Sequence, residues 1–225
     1  MGRNVIVLEA GDAAFVARFE QRIDPAVNAR AIRTARILRR TAAGLLRDIV
    51  VGYASVTVYF DPLAAEADVV REALARAADE ADGRPGDAEG RLVEIPVRYG
   101  GEDGPDLGEV AAFAGCTPEE VVRLHAARVY RVYMIGFVPG FPYLASVDAR
   151  IAMPRRGRPR RLVPAGSVGI AGAQTGIYPI ATPGGWRIIG RTDVGLFEMA
   201  GAPRTSLAPG DRVRFVPARE SEVSS

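Results

Sequence analysis

The chain has 225 residues, enough for one domain or two modest ones with a real core. Hydrophobic residues make up 48% and charged residues 25%, ordinary values for a globular protein, and the formal net charge of +2 argues against a general nucleic-acid binder. Every cationic side chain is arginine, so P-loop lysine, Schiff-base and biotinyl-lysine chemistry are excluded, and the single Cys116 excludes an intramolecular disulfide and a zinc cluster.

The first ninety residues read as a small α/β unit. Asn4 to Glu9 is a β-type run, turned at Gly11-Asp12 into a second strand over Ala14 to Phe19. Asp24-Pro25 marks a helix start, with Asp as N-cap and Pro in the first turn, and Val27, Ala31, Ala35 and Leu38 follow at helical spacing. Leu45 to Val51 and Ser55 to Phe60 read as two more strands, and Asp68 to Ala81 as a second amphipathic helix. The order β-β-α-β-β-α predicts an antiparallel, ferredoxin-like sheet with helices on one face. The polar segment Asp82 to Gly90 carries three glycines and a proline, so the domains are predicted at 1–85 and 86–225.

Leu92 to Tyr99 reads as a strand, followed by the acidic turn Gly100 to Asp106 and a short helix over Leu107 to Ala114. Thr117-Pro118-Glu119-Glu120 is a capping box that opens another helix, which carries His125, the chain's one histidine, in its last turn. Strands are expected near Val129 to Ile135, Ser167 to Ala171, Gly176 to Ile180, Arg187 to Arg191 and Val213 to Val216. Short strands with Gly/Pro turns predict a barrel or closed sandwich, so the whole is α+β. No apolar run is long enough to cross a bilayer and the N-terminus lacks a signal-peptide pattern, so no membrane contact is expected and the cytoplasm is the expected location.

Candidate chemistry concentrates between Gly136 and Thr192. Pro139-Gly140 is a type II turn signal: either the aromatics of the Gly136 to Phe141 run plug the core, or the exposed backbone N–H groups of the turn line a pocket. Six arginines occupy 150–161 with no acid among them, a pattern that suits a solvated loop, a bidentate anion site or an acidic partner surface. Gly166-Ser167, Gln174-Thr175 and Pro183-Gly184-Gly185-Trp186 supply close-approaching backbone, neutral hydrogen-bonding groups and one large aromatic. Neither G-x-x-x-x-G-K-[ST] nor G-x-G-x-x-G is present. His125 has an unperturbed pKa near neutrality, yet a lone histidine at a helix end is more often structural, and with no acidic cluster beside it no metal site is expected.

Taken together, these residues resemble a known family. His125…Tyr130…Gly136-Phe137…Pro139-Gly140-Phe141…Tyr143-Leu144, Pro154-Arg155, Pro159-Arg160, Val163 to Val168, Gln174 to Pro179, Pro183 to Trp186, Ile188 to Thr192 and Pro209-Gly210-Asp211 are similar to the signature of 5-oxoprolinase B subunits, also described as allophanate hydrolase subunit 1 or KipI proteins. The resemblance covers essentially the whole chain. It implies a C-terminal cyclophilin-like β-barrel, a heteromer with a C subunit through a related barrel, and a separate A subunit. It further implies ATP-dependent conversion of the small molecule 5-oxoproline to glutamate, in which the B and C subunits activate the lactam by phosphorylation and the A subunit hydrolyses it. ATP with Mg²⁺ would act at the level of the complex, and the chain alone would be inactive. Polar site residues are then expected to be His125, Arg155, Arg160, Gln174, Tyr178 and Arg191, with Pro139, Gly140, Phe141, Tyr143, Gly166, Ser167, Thr175, Gly184, Gly185, Trp186 and Thr192 around them. The family also contains inhibitors of sensor histidine kinases, and a carboxyltransferase component acting on urea-like amides is a third reading. The run Asp193 to Met199 departs from the family pattern, which has a proline and a Leu-Phe-Asp-Pro-like stretch there.

Overall fold

A computed structural model describes residues 5–83, 90–198 and 204–218, in two compact units that meet in sequence between Glu89 and Gly90. The boundary expected at 85/86 lies outside the described residues.

In the first unit the elements run β1 (Ile6–Glu9), β2 (Ala14–Arg18), α1 (Pro25–Thr41), β3 (Asp48–Val51), β4 (Ser55–Tyr59) and α2 (Ala67–Glu80). All pairings are antiparallel and the sheet order is β1-β2-β4-β3, as the β-β-α-β-β-α reading requires. Asp24 caps α1 by accepting from the Ala26 and Val27 N–H groups, with Pro25 in the first turn. Alternation along the strands turns Phe15, Ala17, Ile49, Val51, Val56 and Val58 to one face, where Ala31, Ala35, Leu38 and Leu74 of the helices cover them. The strand expected over Leu45 to Val51 begins only at Asp48, because Ala43–Leu45 closes a 3₁₀ turn after α1.

The second unit contains β5 (Leu92–Tyr99), α3 (Leu107–Ala114), α4 (Pro118–Ala126), β6 (Val129–Ile135), β7 (Pro142–Ala145), β8 (Arg160–Val163), β9 (Ser167–Ala171) and β10 (Gln174–Ile177). It continues through β11 (Thr182–Gly184), β12 (Arg187–Arg191), β13 (Phe197–Glu198), β14 (Arg204–Thr205) and β15 (Arg212–Pro217). Seven strands close a barrel in the order β10-β7-β6-β15-β5-β12-β9, antiparallel except for the parallel β15–β5 pair. Inward residues Ile95, Val97, Tyr130, Val132, Leu144, Ile170, Val213 and Phe215 fill it, and Val110, Val121 and Leu124 of the two helices join the same core. Of the capping box, one half forms. Thr117 accepts from the Glu120 N–H at 3.3 Å, but the Glu120 carboxylate turns to Arg123. Outside the barrel, Phe141, Val163, Ala171, Tyr178, Trp186 and Ile188 make a second, smaller cluster beside the β8–β11 ribbon. No helix among the described residues is long and apolar enough to cross a membrane.

Candidate functional site

The outer cluster holds a pocket of about 320 Å³. Phe137, Phe141, Tyr143, Tyr178 and Trp186 form its walls, and Pro159, Pro183, Gly184, Gly185 and Arg155 complete the lining. The turn that delivers the first two aromatics is the one its sequence specifies. The Phe141 N–H donates to the Val138 carbonyl at 3.1 Å and Gly140 takes φ 82°, so Pro139 and Gly140 occupy the central positions of a type II turn. Phe137 is itself in the left-handed region (φ 66°) and 59% exposed at the rim, edge-on to Phe141 and Tyr178. Phe141 packs edge-to-face against Tyr143, Tyr178 and Trp186 with ring centroids 4.9–5.3 Å apart. Gly184 is required because a Cβ there would collide with the Tyr178 hydroxyl. Burial pushes the Tyr178 phenol up, against smaller opposing pulls from the Trp186 backbone and Arg155. The Arg155 guanidinium lies over Trp186, 5.9 Å from the ring centroid, exposed and without a carboxylate partner among the described residues.

The remaining arginines of 150–161 divide sharply. Arg160 grips Asp106 with two bonds of 2.7 and 2.9 Å, and Arg156 adds a third at 2.6 Å. The same carboxylate accepts the Ile188 N–H at 2.7 Å, and Asp106 is only 1% exposed. Burial pushes that carboxyl up, but Arg160, the Ile188 N–H and Arg156 together outweigh it and hold it below the usual range. Arg150 pairs with Asp148 and Glu120. Arg158 and Arg161 are exposed and have no carboxylate partner among the described residues. The sequence marks Asp106 only as part of an acidic turn. The signal that could single it out is its position immediately before an apolar helix, opposite a basic run with no acid of its own.

His125 is fully buried in the barrel interior, stacked on Phe215 with centroids 4.6 Å apart. Its Nδ1 is 2.8 Å from the Tyr99 hydroxyl and its Nε2 is 2.9 Å from Thr175 Oγ1. Thr175 spends its one proton on the Gly169 carbonyl at 3.0 Å. Its oxygen can therefore only accept from His125, which assigns the Nε2–H tautomer and leaves Nδ1 to accept from Tyr99. Burial lowers the imidazole pKa to about 3, so the ring is neutral at pH 7.

Residues 5–207 match the family described as carboxyltransferase domain, subdomain C and D. A Bacillus subtilis protein, named as the B subunit of 5-oxoprolinase, is 41% identical over 95% of this chain and 93% of its own length. The chain belongs to this family. A solved structure titled TTHA0988 superposes with a TM-score of 0.79 at 41% identity, covering 92% of this chain, which spans only 40% of that longer one. Kluyveromyces lactis urea carboxylase covers 97% of this chain with a TM-score of 0.74, but at 21% identity, spanning 22% of that chain, and shares the fold alone.

In this member of the carboxyltransferase-domain family, seven of the residues named as site candidates, Phe141, Tyr143, Arg155, Tyr178, Gly184, Gly185 and Trp186, line the same pocket. Phe137, Pro159 and Pro183 line it too, and are legible only as parts of the Gly-Phe-Val-Pro-Gly-Phe and Pro-rich strings. His125 and Arg160 do not line it: the first is enclosed in the barrel and the second is committed to Asp106. Gln174 and Thr175 lie on β10, Thr175 facing the barrel interior. Arg191 donates to the Ala165 carbonyl at 3.0 Å. Gly166 and Thr192 meet at a crossing where a Cβ would strike the Thr192 carbonyl oxygen, while Gly166 N–H donates to Tyr178 O at 2.7 Å. That crossing and the buried Ser167 support the Tyr178 wall from behind. The departing run starts at Asp193, which ion-pairs with Arg98, and sends Phe197 against Gly140; its end at Met199 lies outside the described residues.

Proposed function

We propose that the chain is the B subunit of an ATP-dependent 5-oxoprolinase, inactive alone, which converts 5-oxoproline to glutamate together with C and A subunits. One observation carries this reading: an aromatic pocket of about 320 Å³ whose rim presents, among the described residues, a single charged side chain, Arg155. Such a space is at the small end of ligand pockets and suits a molecule of few atoms with flat apolar faces and one anionic group. A five-membered lactam carboxylate has that chemistry. Its ring would lie against Phe141 and Trp186, and its carboxylate would meet the Arg155 guanidinium. The whole-length relationship to a protein named as a 5-oxoprolinase B subunit supports the complex.

The pocket does not fit a nucleotide. Among the described residues its lining offers one arginine and no other charged group, and the sequence has neither G-x-x-x-x-G-K-[ST] nor G-x-G-x-x-G. Among the described residues no three His, Cys, Asp or Glu side chains converge to hold an ion. We therefore assign ATP and Mg²⁺ to the complex, and this chain's part is to bind and orient the lactam. His125, neutral and enclosed, would have a structural role rather than that of a proton carrier. Arg160 would act as a brace for the pocket through Asp106.

Mixing the chain with its A and C subunits and following glutamate release tests the reading. ATP-dependent glutamate above an A-plus-C control is expected, and its absence overturns the proposal. Arg155→Ala should raise KM for 5-oxoproline about 10- to 100-fold, as expected for one lost charged hydrogen bond.

A further inference from the structure

The pocket stands on two glycines. Gly169 on β9 and Gly176 on β10 face each other in the ladder. A Cβ at Gly176 would lie 2.8 Å from Phe141 Cζ and 3.0 Å from Trp186 Cζ3, and one at Gly169 would lie 3.1 Å from Trp186 Cβ. The two aromatic walls thus rest on bare backbone, and the spacing of two strands sets where they stand. On the barrel side the same two strands are tied by one side chain, Thr175, which donates to Gly169 O. Thr175 is held in turn by His125, and His125 by Tyr99 on β5, while the Tyr130 hydroxyl donates to the His125 carbonyl at 2.8 Å and fixes the end of α4. The links from His125 to Thr175, Thr175 to Gly169 and Tyr130 to His125 are buried in an apolar core, where an unmet bond is costly, and the Tyr99 link is part-buried. Imidazole is suited to the middle of this chain because it donates on one side and accepts on the other while stacking on Phe215.

We propose that His125 is a positioning residue: through its Nε2–H bond to Thr175 it holds the Gly169–Gly176 seat under Phe141 and Trp186, and so fixes the pocket's width without touching what binds there. The functional meaning rests on this pocket being the ligand site, but the geometric claim does not. Both can be separated by experiment because the chain has one histidine and one tryptophan, so each reports on itself alone.

Long-range proton–nitrogen NMR of the wild-type chain should show His125 as the Nε2–H tautomer. Trp186 is 4% exposed, and acrylamide quenching of its fluorescence reads how often the seat opens. Thr175→Val and His125→Phe keep volume but remove the bonds, and each should raise the quencher-accessible population about fivefold, the factor that one lost hydrogen bond corresponds to. Thr175→Ser should restore wild-type quenching. An Nδ1–H tautomer overturns the proposal, as does unchanged quenching in Thr175→Val shown folded by circular dichroism. If neither variant folds, the tautomer decides. None of these readouts depends on glutamate release, so a failed reconstitution would sink the assigned activity and leave this inference standing.

Discussion

Buried polar groups in residues 5–83 lie along one helix: Asn28 donates to the Gly52 and Tyr53 carbonyls, Arg30 reaches the Ala78 carbonyl and Asp82, and Thr34 bonds back to Arg30. The barrel unit buries Asp106, His125, Ser167, Thr175, Thr192 and Asp211, and two of them join separate elements: Asp106 holds Arg156, Arg160 and the Ile188 N–H, and His125 links Tyr99 to Thr175. The first unit is held mainly by apolar burial, where losses are graded with the volume removed. In the second, the walls of the pocket are indexed by hydrogen bonds, where removing one partner strands another. A site that must keep a fixed shape is better served by the second arrangement.

Removing a hub should therefore cost more than removing a comparable volume of core. Asp106→Ala strands Arg156, Arg160 and the Ile188 N–H, and should destabilise the barrel by about 3–5 kcal/mol in urea unfolding followed by Trp186 fluorescence. Leu74→Ala in the first unit should cost about 3 kcal/mol, seen as roughly hundredfold faster hydrogen exchange in peptides from α2 and β4. An Asp106→Ala loss no larger than that of Leu74→Ala would erase the contrast. The smallest effect is the one that pH sets between about 6.5 and 5. His125 has a folded pKa depressed to about 3 and an unfolded value near 6.5, so the unfolded chain binds the extra proton. Its contribution is complete above about pH 6.5 and is lost as pH falls towards 3, at up to about 1.4 kcal/mol per unit. His125→Gln should flatten the decline between pH 6.5 and 5, above the range of the carboxylates, and a wild-type chain without that decline would show that the ring is not held neutral.

What could be read in advance follows the same division. Asp24-Pro25 and Thr117-Pro118 announce their helices because capping is local chemistry, and Leu92 to Tyr99 announces a strand by its alternation and length. The strands β7, β8 and β11 escape notice because they are three or four residues long and contain or adjoin proline, so their pairing, β7 in the barrel and β8 with β11 in the outer ribbon, is set by tertiary context rather than by propensity. The aromatic half of the pocket is legible as a string of motifs. The commitment of Arg160 to Asp106 is not, since 54 residues separate the partners and nothing in an isolated arginine says whether it faces a ligand or a carboxylate. The enclosure of His125 escapes for the same reason: its partners Tyr99 and Thr175 come from β5 and β10.

The strand β15 also sets a timetable. It lies between β5 and β6, which follow one another in sequence but are not paired with each other among the described residues, and it bridges them directly. As the chain leaves the ribosome, a curved sheet can form through β12, yet its two edges must stay open until residues 212–217 emerge. During that interval both edges offer unpaired backbone to any neighbouring strand, and the closing contact spans more than a hundred residues. The residues that line the pocket, Phe137 to Trp186, all precede β15 in sequence, so the strand that seals the barrel and supplies the Phe215 face of His125 is the last part of the site's support to be made.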